Sequence, residues 1–115
     1  MLKGISRLLC VFILVAGVSP LVAQVGTQGS ILGVVKDASG ASIPNAEVAV
    51  TNLNTNQVTS AVTDGAGNFE VLALPIGRYA VTVTAPGFKV WHLASMDITV
   101  GERSRISPVL DVGNV

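Results

Sequence analysis

The sequence predicts an all-β domain: an antiparallel β-sandwich of about seven or eight short strands, of Greek-key type, preceded by a signal-peptide helix. Three observations carry this expectation. Short β-branched runs alternate apolar and polar residues along most of the chain beyond residue 23. Clusters of Gly, Pro, Asn and Asp separate those runs at regular intervals. No segment beyond residue 23 keeps a helical apolar period for three turns.

The first 23 residues are of a different kind. Lys3 and Arg7 supply a basic start, Leu8 to Val18 is apolar and uncharged, Ser19-Pro20 breaks the run, and Leu21-Val22-Ala23 offers a small residue for cleavage between Ala23 and Gln24. Basic, apolar, small is the order read by the secretion machinery. The apolar run is shorter than the roughly 20 residues a spanning helix needs, so the mature chain is expected to carry no stable membrane anchor. Cys10 lies inside the apolar run, whereas a lipid-modified cysteine would have to open the mature chain. Cleavage removes this one cysteine, so neither a disulfide nor a Cys-ligated metal is expected in residues 24–115. It also removes Lys3 and Arg7 from a chain with seven basic and seven acidic residues. The remainder is slightly acidic and has no basic patch, which argues against nucleic acid or an anionic membrane surface as partner.

The elements follow in order. Residues 24–29 read as a flexible leader. Ile31 to Lys36 is a β-branched run stopped by Asp37-Ala-Ser-Gly40. Ala46, Val48 and Val50 alternate with Glu47, Ala49 and Thr51, which puts the first set on a buried face. Asn52 to Asn56 reads as a hairpin loop and Val58 to Thr63 as the next strand. Asp64-Gly-Ala-Gly-Asn68 is the strongest turn signal, and Phe69 to Val71 follows it. Pro75-Ile-Gly77 turns the chain into Arg78–Thr84, with Tyr79, Val81 and Val83 on one face. After Pro86-Gly87, strands are expected over Phe88–Leu93, Ile98–Val100 and Ser104–Leu110, with Ala94-Ser-Met-Asp97 and Gly101-Glu102 as turns. Pro108 lacks an N–H and marks an edge or a bulge in the last of these. The expected core is Ile31, Val35, Ala46, Val48, Val50, Phe69, Val71, Tyr79, Val81, Val83, Phe88, Ile98, Val100 and Leu110.

Residues for chemistry are scarce. His92 is the only histidine, while a catalytic metal usually takes three protein ligands and a nucleophile needs a base and an orienting group. Asp64-Gly-Ala-Gly-Asn68 holds one carboxylate, too few for a calcium loop. Turn formation is the expected role of Asp37 and Asp64. No enzyme, cofactor or metal site is expected. The surface with some ligand-binding character is Lys89, Trp91 and His92, where an outward Trp91 could stack on a sugar; covering a sandwich edge is the competing role for Trp91.

Four turn-bounded pieces occur in a fixed order: Ile31-Leu-Gly33-Val-Val-Lys-Asp37-Ala-Ser-Gly40 with Ile43-Pro-Asn-Ala46-Glu-Val48, Thr63-Asp64-Gly-Ala-Gly67-Asn-Phe69, Leu74-Pro75-Ile-Gly77-Arg-Tyr79-Ala-Val81, and Ala85-Pro86-Gly87-Phe88. In these the chain resembles the carboxypeptidase regulatory-like domain, a transthyretin-like or Cna-B-like sandwich with a carbohydrate-binding-like fold. The resemblance implies a sandwich over residues 30–112 and a tail at 113–115. It is nearest to the domain at the N-terminus of TonB-dependent outer-membrane receptors of the Acidobacteria type. That implies a non-enzymatic accessory or interaction domain, located in the periplasm or at the outer membrane, in an N-terminal fragment whose partner is the receptor's plug and barrel. The alternative is a free-standing secreted module that binds a glycan or a periplasmic protein. Cna-B sandwiches can also join Lys to Asn through an isopeptide bond, for which Lys36 and Asn114 supply the residue types with Glu47 or Glu70 between them. That reaction needs a buried neutral amine, and Lys36 beside Asp37 at a strand end is expected to be solvated.

Overall fold

Turn chemistry cuts the chain into nine strands, seen in a computed structural model that describes residues 28–113. They are β1 (Gln28–Val34), β2 (Lys36–Asp37), β3 (Glu47–Asn52), β4 (Val58–Val62), β5 (Asn68–Pro75), β6 (Gly77–Thr84), β7 (Trp91–Ile98), β8 (Arg103–Ile106) and β9 (Val109–Leu110). The stretch read as a signal peptide and the cleavage point expected at Ala23–Gln24 lie outside the described residues. Among those described, no helix is long and apolar enough to cross a membrane.

One layer is a four-stranded antiparallel sheet, β4-β3-β6-β7. The other is β5-β1-β8, extended by the β2-β9 pair. β2 continues β1 past Val35, and β9 continues β8 past Ser107-Pro108, so the nine pieces trace the expected sandwich. β6, β3 and β4 lie side by side with β5 on the opposite layer, the return path of a Greek key. Two pairings are parallel, β1 with β8 and β2 with β9. β1 opens at Gln28, so pairing reaches two residues into the stretch read as leader.

The layers close on Ile31, Val35, Ala46, Val48, Val50, Phe69, Val71, Tyr79, Val81, Val83, Ile98 and Leu110, all expected in the core and all buried. Two expectations are corrected. Val100 is 56% exposed, and Phe88 only packs against the core's margin. β7 ends at Ile98, and Val100 sits in a turn closed by Glu102 N–H donating to Thr99 O at 3.2 Å and Gly101 N–H to Gln28 O at 3.0 Å. The alternation beyond Ile98 therefore does not apply. Conversely, Ile43, Leu74 and Pro108 are buried although the alternation does not select them.

Ala94-Ser-Met-Asp97 is not a turn but the middle of β7. Opposite it, Tyr79 pairs with Met96 and Val81 with Leu93, so Ala94 and Ser95 together oppose Ala80. This bulge shifts the side-chain parity, and Leu93, Met96 and Ile98 can all turn inward. A second bulge, at Leu72-Ala73 opposite Ser30, does the same for Leu74; Ala73 has a φ of 59° there.

Thr63 ties the entrance of β3 to the end of β4. Its buried hydroxyl donates to Ile43 O and accepts from Ala46 N–H, each at 2.8 Å. Thr63→Val keeps the shape and strands both backbone groups. The expected loss is about 1–3 kcal/mol, read as a lower urea midpoint at unchanged slope; an unchanged midpoint would deny the hydroxyl this role.

Candidate functional surface

The pole near the end of β9 is built on two loops with the same internal wiring. Asp37 Oδ1 accepts from Ser39 N–H (2.9 Å), Ser39 Oγ (2.6 Å) and Ala41 N–H (3.0 Å), while Gly40 N–H donates to Asp37 O at 3.0 Å. Asp64 Oδ1 accepts from Ala66 N–H and Asn68 N–H, both at 2.9 Å, while Gly67 N–H donates to Asp64 O at 3.0 Å. In each loop the carboxylate stands in for a missing backbone acceptor. Gly67, with φ of 80°, brings the second loop against Val35, the residue between β1 and β2: its carbonyl accepts from Val35 N–H at 2.9 Å, and a Cβ there would lie 2.7 Å from Val35 O.

These contacts lower both carboxyl pKa values. For Asp37 the Ser39 hydroxyl is the main cause, followed by the Ala41 N–H. For Asp64 it is the Asn68 N–H, followed by that of Ala66. Folding therefore favours the anions, so their contribution to stability is complete above the ordinary value of 3.8 and is lost as the pH falls below it. The melting temperature should hold down to about pH 5 and then decline. The Asp37→Asn/Asp64→Asn double variant should be less stable at neutral pH and show a shallower acid decline. An equally steep decline would show that other groups control it. The loops use their carboxylates internally. Among the described residues no three His, Cys, Asp or Glu side chains gather into a metal-binding group.

The three residues expected to form a ligand surface are placed differently from one another. Trp91 opposes Val83 and packs, half-buried, against the margin of the core. His92, next along β7, points to the opposite face and is exposed, with Nδ1 3.3 Å from Thr82 Oγ1. Lys89 is exposed in the connection between the Pro86-Gly87 turn and β7, where its N–H donates to Asp111 O at 2.7 Å. Trp91 and His92 thus share no face. Lys36 is exposed, so its amine is solvated; Asn114 lies outside the described residues.

The opposite pole, where β1 begins, presents the larger apolar opening. An open groove of about 750 Å3 runs along Ile76, Gly77, Ile98, Thr99 and Val100, with Asn54 and the Arg78–Asp97 ion pair (3.3 Å) at its side. Both ion-pair partners are exposed, so the pair adds at most about 1 kcal/mol. Leu53, whose N–H donates to Arg78 O at 2.9 Å, Ile76 and Val100 are large apolar side chains left in solvent. Sequence reading passed over this pole. The available signal was an apolar residue at the centre of each polar turn, with no inward face to take it.

A family model for the carboxypeptidase regulatory-like domain matches residues 30–111. No curated protein matches the sequence. Among solved structures, the TIE protein of Bacillus anthracis is similar at 21% identity and a TM-score of 0.61, over 75% of this chain and 17% of that one. The catechol 1,2-dioxygenase of Acinetobacter radioresistens is similar at 12% identity and a TM-score of 0.65, over 80% of this chain and 54% of that one. The pilus 2b backbone protein of group B streptococcus is similar at 17% identity and a TM-score of 0.57, over 76% and 42%. At such identities the likeness is one of fold, and this chain spans only part of each of those proteins.

Proposed function

The chain belongs to the carboxypeptidase regulatory-like domain family, and from that premise we propose that it is a non-enzymatic, exported interaction domain at the N-terminus of a TonB-dependent outer-membrane receptor. The observation that carries the interaction role is the pole where β1 begins. There Leu53, Ile76 and Val100 stand in solvent beside an open groove, the arrangement expected of a contact surface rather than a reaction centre. The non-catalytic reading draws on two further points. The loop carboxylates are spent on their own turns, and the His92 ring has its hydrogen-bond contact with a threonine hydroxyl, that of Thr82. Export draws on the basic, apolar, small order of residues 1–23. The receptor context draws on the resemblance of the whole arrangement, leader and sandwich together, to receptor N-termini.

Reading the gene beyond the Val115 codon tests this. A frame that continues, directly or across a frameshift, into a plug and a barrel is the expected result. A stop codon followed by unrelated sequence would replace this reading with that of a free-standing secreted binding module.

A further inference from the structure

The sandwich has several free strand edges, and all but one are guarded. β7 carries a bulge, His92 and Asp97. β5 carries a bulge, the positive φ of Ala73, Glu70 and Pro75. β8 reads Arg-Ser-Arg-Ile, and β9 has only two residues. Charge, proline, bulges and shortness are the usual means by which an edge is kept from pairing with another chain. β4 has none of them. Val58-Thr-Ser-Ala-Val62 is uncharged, unbroken in register against β3 and rich in β-branched residues.

Its free backbone groups can be identified. Asn52 N–H donates to Gln57 O at 2.8 Å and Thr63 N–H to Ala46 O at 2.9 Å, which turns residues 57 and 63 toward β3. By alternation Thr59 and Ala61 face β3 as well, and the N–H and C=O of Val58, Ser60 and Val62 face outward. No strand among the described residues takes them up. The side chains of the same three residues are exposed, Val58 by 56% and Val62 by 62%.

We infer that β4 is a self-complementary edge, through which two copies of the chain pair antiparallel about a two-fold axis at Ser60 and merge their four-stranded sheets. The occupant follows from the sequence of the strand. Reversed about Ser60, Val58 meets Val62 of the second copy, Thr59 meets Ala61, and Ser60 meets itself. Each outward N–H then finds a carbonyl, and two apolar Val–Val pairs form on the outer face, the kind of cross-strand contact that stabilises sheets. Charge agrees as well: just beyond the strand, Asp64 comes opposite Asn56, and no like charges oppose each other. Such self-matching is the defining property of a two-fold interface.

Sedimentation of the purified chain over a range of concentrations tests this. A monomer–dimer equilibrium is expected. Ser60→Pro removes only an outward N–H and should weaken association at least about tenfold, with the far-ultraviolet circular dichroism of the parent. Should the proline disturb folding, Val58→Lys/Val62→Lys decides instead, since it sets like charges opposite each other and leaves the β3 ladder intact. The register is read in a Cys10→Ser background. There Ser60→Cys should form a disulfide dimer on mild oxidation much faster than Ala38→Cys, because directly opposed residues in such a pair are about 5.5 Å apart at Cα. A chain that stays monomeric at all concentrations, or a dimer indifferent to the β4 substitutions, would overturn the inference.

Discussion

Val81→Asp is expected to unfold the domain. Val81 has no exposed surface; it sits at the centre of the four-stranded sheet, opposite Val50 on β3 and Leu93 on β7. An aspartate there would sit beside Val48, Val50 and Val83 in the apolar core, and among the described residues no cation is buried to meet it. A carboxylate in such surroundings either loses its hydration or takes up a proton, and both routes cost several kcal/mol. Domain stability is typically about 5–15 kcal/mol, and a domain of this size buries a modest core. One such substitution therefore consumes most of the margin. Val48→Asp, opposite Val83 on the same sheet, should behave alike. Thermal melting followed by circular dichroism reads the effect; a variant melting within a degree or two of the parent would refute the assignment of the inner face.

Gly33→Ala should be the most damaging single-methyl change. Gly33 lies between Phe69 on β5 and Ile106 on β8. A Cβ at this position would collide with the Ile106 carbonyl oxygen and meet Phe69 Cε1 at 3.1 Å. The carbonyl belongs to the backbone of β8, so relief requires displacing that strand from its parallel pairing with β1. A loss at the upper end of the overpacking range, about 3 kcal/mol or more, is expected. Gly65→Ala provides the contrast, since nothing lies within 4 Å of its Cβ and its φ is not positive. Its effect should stay within about 0.5 kcal/mol. Equal effects of the two substitutions on the urea midpoint would show that close approach at Gly33 is not what demands glycine.

Most of the fold was legible because its strands alternate strictly. Along β3 and β6 the parity of Val48, Val50, Tyr79, Val81 and Val83 is unbroken, and each is buried as expected. The misreadings cluster where parity changes. Bulges at Leu72-Ala73 and Ala94-Ser95 add one residue to a strand, so Leu74 and Met96 turn inward against the count, and a polar stretch of β7 resembles a turn. A bulge leaves little trace in a single sequence, because the extra residue need be neither Gly nor Pro. Ile43 was missed for another reason: it plugs the sandwich from a loop, and period-2 reasoning has no purchase on loops.

The candidate surface was less legible than the fold. Lys89, Trp91 and His92 are near in sequence, but alternation along β7 sends Trp91 toward the core and His92 to solvent. The exposed pole is assembled from three separate turns, around Leu53, Ile76 and Val100, whose proximity depends on topology. Hydrophobic pattern reports which face of a strand is buried. It does not report which turns meet at one end of a sandwich.

The most direct test of the proposed function is an immunoblot of fractionated cells of the source organism, with antibody raised against the sandwich. The receptor reading predicts a band in the outer-membrane fraction, far larger than the 11.8 kDa of this chain. A small band in the cytoplasm would contradict export altogether, and a small band in the medium would contradict the receptor.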